Sequence, residues 1–171
     1  MYYTTTYTSP VGHIKLASDE KNLIGLWLEE QKYFGSGIKD AMAEKNDLPV
    51  LQTAKSWLDS YFKGNKPDIS TLPLAPVDGE FRQNVWKILC EIPYGTCITY
   101  GDIAKTLTAK LGKAQSARAV GGAVGHNPIS IIIPCHRVVG ANGHLTGYAG
   151  GVDKKVALLT HEGVDLSRMR F

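Results

Sequence analysis

Nine residues from Ile131 to Val139 read Ile-Ile-Ile-Pro-Cys-His-Arg-Val-Val, so a thiol, an imidazole and a guanidinium sit inside an apolar run. Burying such groups costs free energy unless each finds a partner, which marks the run as a place of chemistry. Cys135 fits a nucleophile. The thiolate is the reactive form, and the neighbouring His136 and Arg137 both favour it. The competing reading is a buried cysteine acting as a small inert hydrophobe. If the segment is extended, adjacent side chains point to opposite faces. His136 is then expected to reach Cys135 through a bridging water or a local kink. A base also needs an orienting acceptor, and Glu162, in His161-Glu162-Gly163, is the best candidate among the few acids of this half. It falls at a helix C-terminus, where the macrodipole disfavours an anion. An acid in a poor place for stability points to function, with a solvated helix end as the alternative.

Four further residues surround this block. Arg118 lies among small side chains and could neutralise phosphate or enter a duplex where a base has left. The alternative is an ordinary surface arginine. Asn127, before Pro128, is either a turn-former or a side-chain clamp. Tyr100 and Tyr148 are pocket aromatics, able to stack and to donate a hydrogen bond, or else plain core tyrosines.

The elements that must hold these residues follow from periodicity. Phe81, Val85, Ile88 and Leu89 share one face of a helix that Glu80 favours at its N-terminus. Thr96 to Tyr100 is extended, and Asp102 to Leu111 is helical until Gly112. Ser116 to Val124 forms a second short helix with small side chains, including Gly121 and Gly122. The pair predicts a helix-turn-helix. Adjacent glycines in a helix cost about 1 kcal/mol each relative to alanine, so something presses close to that face, either protein backbone or nucleic acid. Asn142-Gly143 reads as a tight hairpin turn. Asp153 is expected to cap a last helix over Lys154 to His161, and the tail from Ser167 is expected to be loose.

Upstream, Tyr2–Tyr7, Ile14–Ser18 and Leu23–Leu28 predict a three-stranded antiparallel meander. A short helix is expected around 38–43. Leu51, Ala54, Leu58, Tyr61 and Phe62 then define a helix begun by Pro49 and ended by Gly64. This half offers no reaction centre. Residues 65–78 hold Pro67, Pro73 and Pro76 without periodicity and read as a linker. The expected division is therefore 1–78, a sheet with a helix, and 79–171, mostly helical, in an α+β chain.

Charge sharpens the division. Residues 1–78 carry eight Lys against ten Asp and Glu, a balance of −2, and residues 79–171 carry eleven Lys and Arg against six acids, +5, which together give the net +3. All five arginines lie in the second part, which points to an anionic partner. The three cysteines, at 90, 97 and 135, form no Cys-x-x-Cys and read as neither disulfides nor a zinc site. No secretory signal or membrane-length apolar run is visible, and the chain is expected in the cytosol, or the nucleus of a eukaryote.

Taken together, these residues resemble the O6-alkylguanine-DNA alkyltransferases. Pro134-Cys135-His136-Arg137-Val138-Val139, Arg118-Ala119-Val120-Gly121-Gly122-Ala123, Asn127-Pro128, Tyr148-Ala149-Gly150-Gly151 and His161-Glu162-Gly163 fall at that family's spacings. The resemblance is strong over about residues 79–166 and extends upstream only in outline, through Ser9-Pro10-Val11-Gly12. It implies a ribonuclease H-like first unit and a winged-helix-like second unit. The chain would be a monomeric DNA-repair protein that binds the minor groove of double-stranded DNA. It would evert O6-methylguanine, with O4-methylthymine a second candidate lesion, and transfer the alkyl group to Cys135 once and irreversibly. His136, Glu162 and a water would take the thiol proton, and Asn127 would tie the reading helix to the active loop. Tyr100 would assist flipping and donate to guanine N3. Cys135, Val138, Tyr148 and Ala149 would line the base pocket. Ser116, Ala117, Arg118, Gly121 and Gly122 would meet DNA, with Arg118 filling the stack. No cofactor and no metal are implied: some relatives carry zinc in the first unit, but this chain has no cysteine before 90. Ala149, where some relatives have Ser, leaves the backbone donor and bears on pocket width. Two alternatives are a lesion-binding protein without transfer, which would replace the cysteine, and a Cys-His-Glu hydrolase, which would need an oxyanion hole.

Overall fold

Strand β3 (Leu23–Leu28) is buried along its whole length, as an uninterrupted apolar run requires. It pairs antiparallel with β2 (Gly12–Ser18), which pairs antiparallel with β1 (Tyr2–Ser9). The computed structural model describes residues 2–32, 34–35, 42–145 and 147–170, with the side chain of Arg168 excepted. The expected meander is present, but the sheet has a fourth strand. β4 (Met42–Glu44) joins β1 in parallel, giving the order β3-β2-β1-β4. Its three residues have no β-branched side chain, so its extended form comes from the free edge of β1 and not from propensity. The helix expected around 38–43 falls on residues 38–41, outside the described residues, and on the start of β4.

The other edge of β3 is also covered. Leu23 N–H donates to Pro73 O at 2.7 Å and Ala75 N–H to Leu23 O at 2.9 Å; Leu26 N–H donates to Pro128 O at 2.8 Å and Ser130 N–H to Leu26 O at 3.0 Å. The proline-rich stretch and the segment leading to Cys135 therefore both lean on one strand. Helix α1 (Pro49–Phe62) packs on the sheet and buries Leu51, Ala54, Trp57, Leu58 and Tyr61. One hydrophobic core takes Leu16, Leu26 and Leu58 together with Leu89, Val120 and Ile131, so the two halves of the chain bury a common surface.

In the second half, α2 (Glu80–Cys90) packs on α4 (Ala117–Gly125), with the Trp86 indole N–H donating to Ala123 O at 2.8 Å. β5 (Ile98–Thr99) runs parallel to β6 (Val138–Val139). Helix α3 (Tyr100–Leu111) begins two residues earlier than expected. The Thr99 hydroxyl accepts from Asp102 N–H and the Asp102 carboxylate accepts from Thr99 N–H, a reciprocal cap that puts Tyr100 in the first helical turn. Gly112 closes α3 at φ +73°, and the Ser116 hydroxyl caps α4.

Helix α5 (Val152–His161) starts from Gly151 with no side-chain cap; Asp153 sits inside its first turn. Asn142 and Gly143 both take left-handed backbone, at φ 60° and 78°, but the turn leads into a bridge between His144 and Arg170 and not into a hairpin. The tail is accordingly pinned. Leu145 N–H donates to Arg170 O, while Leu166 and Met169 pack on Val139, Leu145 and Leu159.

Candidate active site

Cys135 does not lie on an extended strand. It opens a 3₁₀ turn, Cys135–Arg137, in which Arg137 N–H donates to Pro134 O at 3.0 Å and Val138 N–H to Cys135 O. The turn follows a second tight bend in which Ile133 N–H donates to Ile129 O and Ile131 is held at φ +70°. A buried β-branched residue rarely adopts that conformation. The apolar run hides these bends because β-branched residues favour extended backbone. The bends are held from inside: the buried Asn127 donates from Nδ2 to Ile133 O at 2.8 Å, and its Oδ1 accepts from Ile129 N–H at 3.0 Å. Asn127 is thus both the turn-former and the clamp.

The 3₁₀ turn sends His136 and Arg137 toward Glu162, the residue that ends α5. The contact is direct. His136 Nε2 lies 2.6 Å from Glu162 Oε2, Arg137 Nε donates to Oε1 at 2.8 Å and an Arg137 Nη to Oε2 at 3.1 Å. Gly95 N–H adds a bond to Oε1 at 2.9 Å, and the Tyr61 hydroxyl one to Oε2 at 2.6 Å. Burial alone would raise the Glu162 carboxyl. The bonds from His136, Arg137 and Tyr61 outweigh it and hold the group well below the usual carboxylate range. The unfavourable helix end is therefore offset by five hydrogen bonds.

Burial holds the His136 imidazole below its usual value, against the pull of Glu162. Since the anionic carboxylate can only accept, Nε2 carries the proton. Nδ1, buried and without a hydrogen-bond partner among the described residues, is then the lone-pair nitrogen. Burial also pushes the Cys135 thiol up, with the Asn127 side chain and the Lys155 ammonium pulling it back. Lys155, 1 % exposed, donates from Nζ to Val138 O at 2.6 Å.

Three contributors escaped the sequence. Lys155 shares the inward face of α5 with Leu158, Leu159 and Glu162, so helical spacing carried its signal. Arg137 is an ion-pair partner of Glu162 and not only a positive neighbour of the thiol. Tyr61 comes from α1, in the half to which no chemistry was assigned, and no short-range pattern links positions 61 and 162.

The pocket aromatics lie close by. Tyr148 is buried, and its hydroxyl and that of Tyr100 are both raised by burial and by the nearby Cys135. A space of about 230 Å³ opens between α4 and the 147–149 loop, against Gly121, Gly122, His126, Tyr148 and Ala149. A second, of about 400 Å³, lies against Tyr100, Ala117, Arg118 and Gly121. Cys135, 4 % exposed, lines neither and lies near both tyrosines. On α4, Ser116, Ala117, Arg118 and Gly122 are exposed. A Cβ added at Gly122 would meet nothing within 4 Å, and one at Gly121 only the Tyr100 ring, at 3.9 Å. Packing within the chain does not demand these glycines, which removes tight helix–helix contact as their reason.

A mixed sheet-and-helix unit joined to a helix-turn-helix, with a buried cysteine beside a His–Arg–Glu cluster, defines a DNA-binding protein class built around a single thiol. The comparisons agree on which one. The family described as 6-O-methylguanine DNA methyltransferase, ribonuclease-like domain, matches residues 1–76, and its DNA binding domain matches residues 80–164. The chain belongs to the 6-O-methylguanine DNA methyltransferase family. It is 39% identical over 162 residues to the methylated-DNA–protein-cysteine methyltransferase of Haemophilus influenzae, covering 95% of this chain and 87% of that one. It is 43% identical over 165 residues to that of Methanosarcina acetivorans, covering 95% and 99%. A crystal structure of Mycobacterium tuberculosis OGT in complex with DNA superimposes with a TM-score of 0.80 at 40% identity, covering 98% of this chain and 94% of that one. Among the described residues, no helix is long and apolar enough to cross a membrane.

Proposed function

We propose that this protein repairs DNA by moving the alkyl group of O6-alkylguanine onto Cys135, once per molecule. The observation that carries the reading is a buried cysteine followed in the same turn by a neutral imidazole that an anionic Glu162 locks at Nε2, with Tyr100 near both that cysteine and the exposed, glycine-bearing helix. In this reading residues 1–78 support, and residues 79–171 bind DNA and accept the alkyl group, in the cytoplasm.

α4 enters the minor groove, where Ala117, Gly121 and Gly122 let phosphate and sugar approach and Arg118 fills the space of the everted nucleotide. Extruding the base costs a few kcal/mol, less for a weakened lesion pair. The base then passes the tyrosines. The Tyr100 hydroxyl, 3.4 Å from where a side chain at Gly147 would begin, is the group that it must displace. Tyr148 forms the wall, Ala149 N–H meets O6, and the carbonyls of Cys135 and Val138 each keep a lone pair for the exocyclic amine.

The Cys135 proton passes to His136 Nδ1 through one bridging water. The sulfur pair attacks the alkyl carbon in line, the carbon–oxygen bond breaks toward O6, and Tyr100 gives its proton to guanine N3 as the base leaves. A thioether remains, a bond with no easy route back, so the protein is consumed. Titrating methylated duplex against a known amount of protein tests this: conversion stops at one equivalent. Conversion beyond one equivalent, or none, sinks the reading.

A further inference from the structure

Glu162 Oε2 is shared. It accepts from the Tyr61 hydroxyl at 2.6 Å and lies 2.6 Å from His136 Nε2. Tyr61 is fully buried on α1, in the other half of the chain. Its ring cannot swing away: Trp57 stacks on it at 5.6 Å between centroids, Phe62 and Tyr94 meet it edge-on, and the His161 ring bonds to its carbonyl at 2.6 Å.

We propose that Tyr61 is a positioning residue for proton transfer: by occupying Glu162 Oε2 it limits the negative charge that reaches His136, and so keeps the imidazole neutral and able to accept at Nδ1. This rests on the reading of His136 as the proton acceptor. The physical reason is competition. Each donor on a carboxylate stabilises its charge, and removing one makes the carboxylate more basic. A more basic Glu162 holds a second proton on the imidazole more firmly, and an imidazolium has no lone pair to offer the thiol. The other charged and titratable groups facing the pair are Arg137 on both carboxylate oxygens, Lys155 from α5, Tyr94 and Cys97 from the stretch between α2 and β5, and Tyr148 from the loop before α5. Among the described residues only Tyr61 brings a neutral hydroxyl to Oε2.

Tyr61→Phe removes that O–H and keeps the ring. In the full chain, the His136 titration followed by NMR is expected to move to higher pH, beyond the scatter of replicate titrations. The acid limb of the methyl-transfer rate profile should move up with it. In a Glu162→Gln background the same substitution should no longer move the midpoint. Phe62→Leu, which disturbs the same helix end without touching Glu162, should leave it in place. An unmoved midpoint in Tyr61→Phe, or an equal movement in Phe62→Leu, overturns the proposal. If the unsubstituted protein transfers no methyl group and the midpoint still moves, the coupling stands and the functional reading falls.

Discussion

At the scale of single residues, protonation governs both reactivity and stability. Cys135, Cys97 and Cys90 are all raised by burial, Cys90 to about 11, so none is a resting thiolate. In the proposed reaction Cys135 has to lose its proton, to a neutral His136. Glu162→Gln keeps the shape and removes the charge that orients the imidazole and pairs with Arg137. Transfer should fall by about 10²–10⁴, the usual worth of a positioned acid–base system, and stability by about 3–5 kcal/mol, as when a buried pair loses one partner. Single-turnover kinetics and denaturant unfolding measure the two. The pH dependence of folding follows from the same groups. His136 is depressed in the folded chain, so the unfolded chain binds the extra proton first. The stability it contributes is complete above about pH 6.5, the unfolded histidine value, and declines as pH falls below it. Glu162 is depressed too, so its contribution is lost below about pH 4.3. Unfolding free energy should therefore fall in two stages on acidification, and His136→Gln should flatten the first. A rise between pH 7 and 5 would contradict the neutral assignment.

At the scale of elements, α4 makes the sharpest demand. With empty space beside Gly122, Gly122→Ala should stabilise the helix by about 0.5–1 kcal/mol while weakening DNA binding, because the added methyl meets only the DNA. Thermal melts and fluorescence anisotropy on duplex separate the two effects; loss of stability would place the glycine in the core instead. Arg118→Ala, which leaves the place of the everted nucleotide empty, should slow methyl transfer from duplex while sparing transfer from a single strand, where no base has to leave a stack. Elements whose local chemistry agreed with their surroundings were legible in the sequence: β1 to β3, α1, α2 and α4. Elements imposed by tertiary contacts were not. β4 exists because β1 had a free edge, the tail is held because His144 and Arg170 pair, and the bends at Ile131 and Cys135 lie in a run whose residues favour a strand. The same division holds in the site. Cys135, His136 and Asn127 lie within nine residues of one another and could be read together. Glu162 was legible through its odd position at a helix end, and Tyr61, 101 residues from its partner, was not.

At the scale of the whole molecule, the two halves act as one body. β3 holds the proline-rich stretch on one part of its edge and the segment before Cys135 on another, and a single core draws on residues from both sides of that stretch. Leu26→Ala, in the middle of that edge, should cost about 2–5 kcal/mol, and Trp57 on α1 and Trp86 on α2 should report one coincident transition. Two separate transitions would contradict the shared core. The same continuity carries Tyr61 of α1 to Glu162 and leaves Ala117, Arg118 and Gly122 of α4 exposed. The central claim, that one sulfur accepts the lesion's alkyl group, is tested most directly by intact-mass and peptide analysis after incubation with a duplex carrying O6-methylguanine. The account predicts one added methyl group, on Cys135, and none on Cys135→Ala. Restored guanine with an unmodified Cys135, or a methyl group on Cys90 or Cys97, would contradict it.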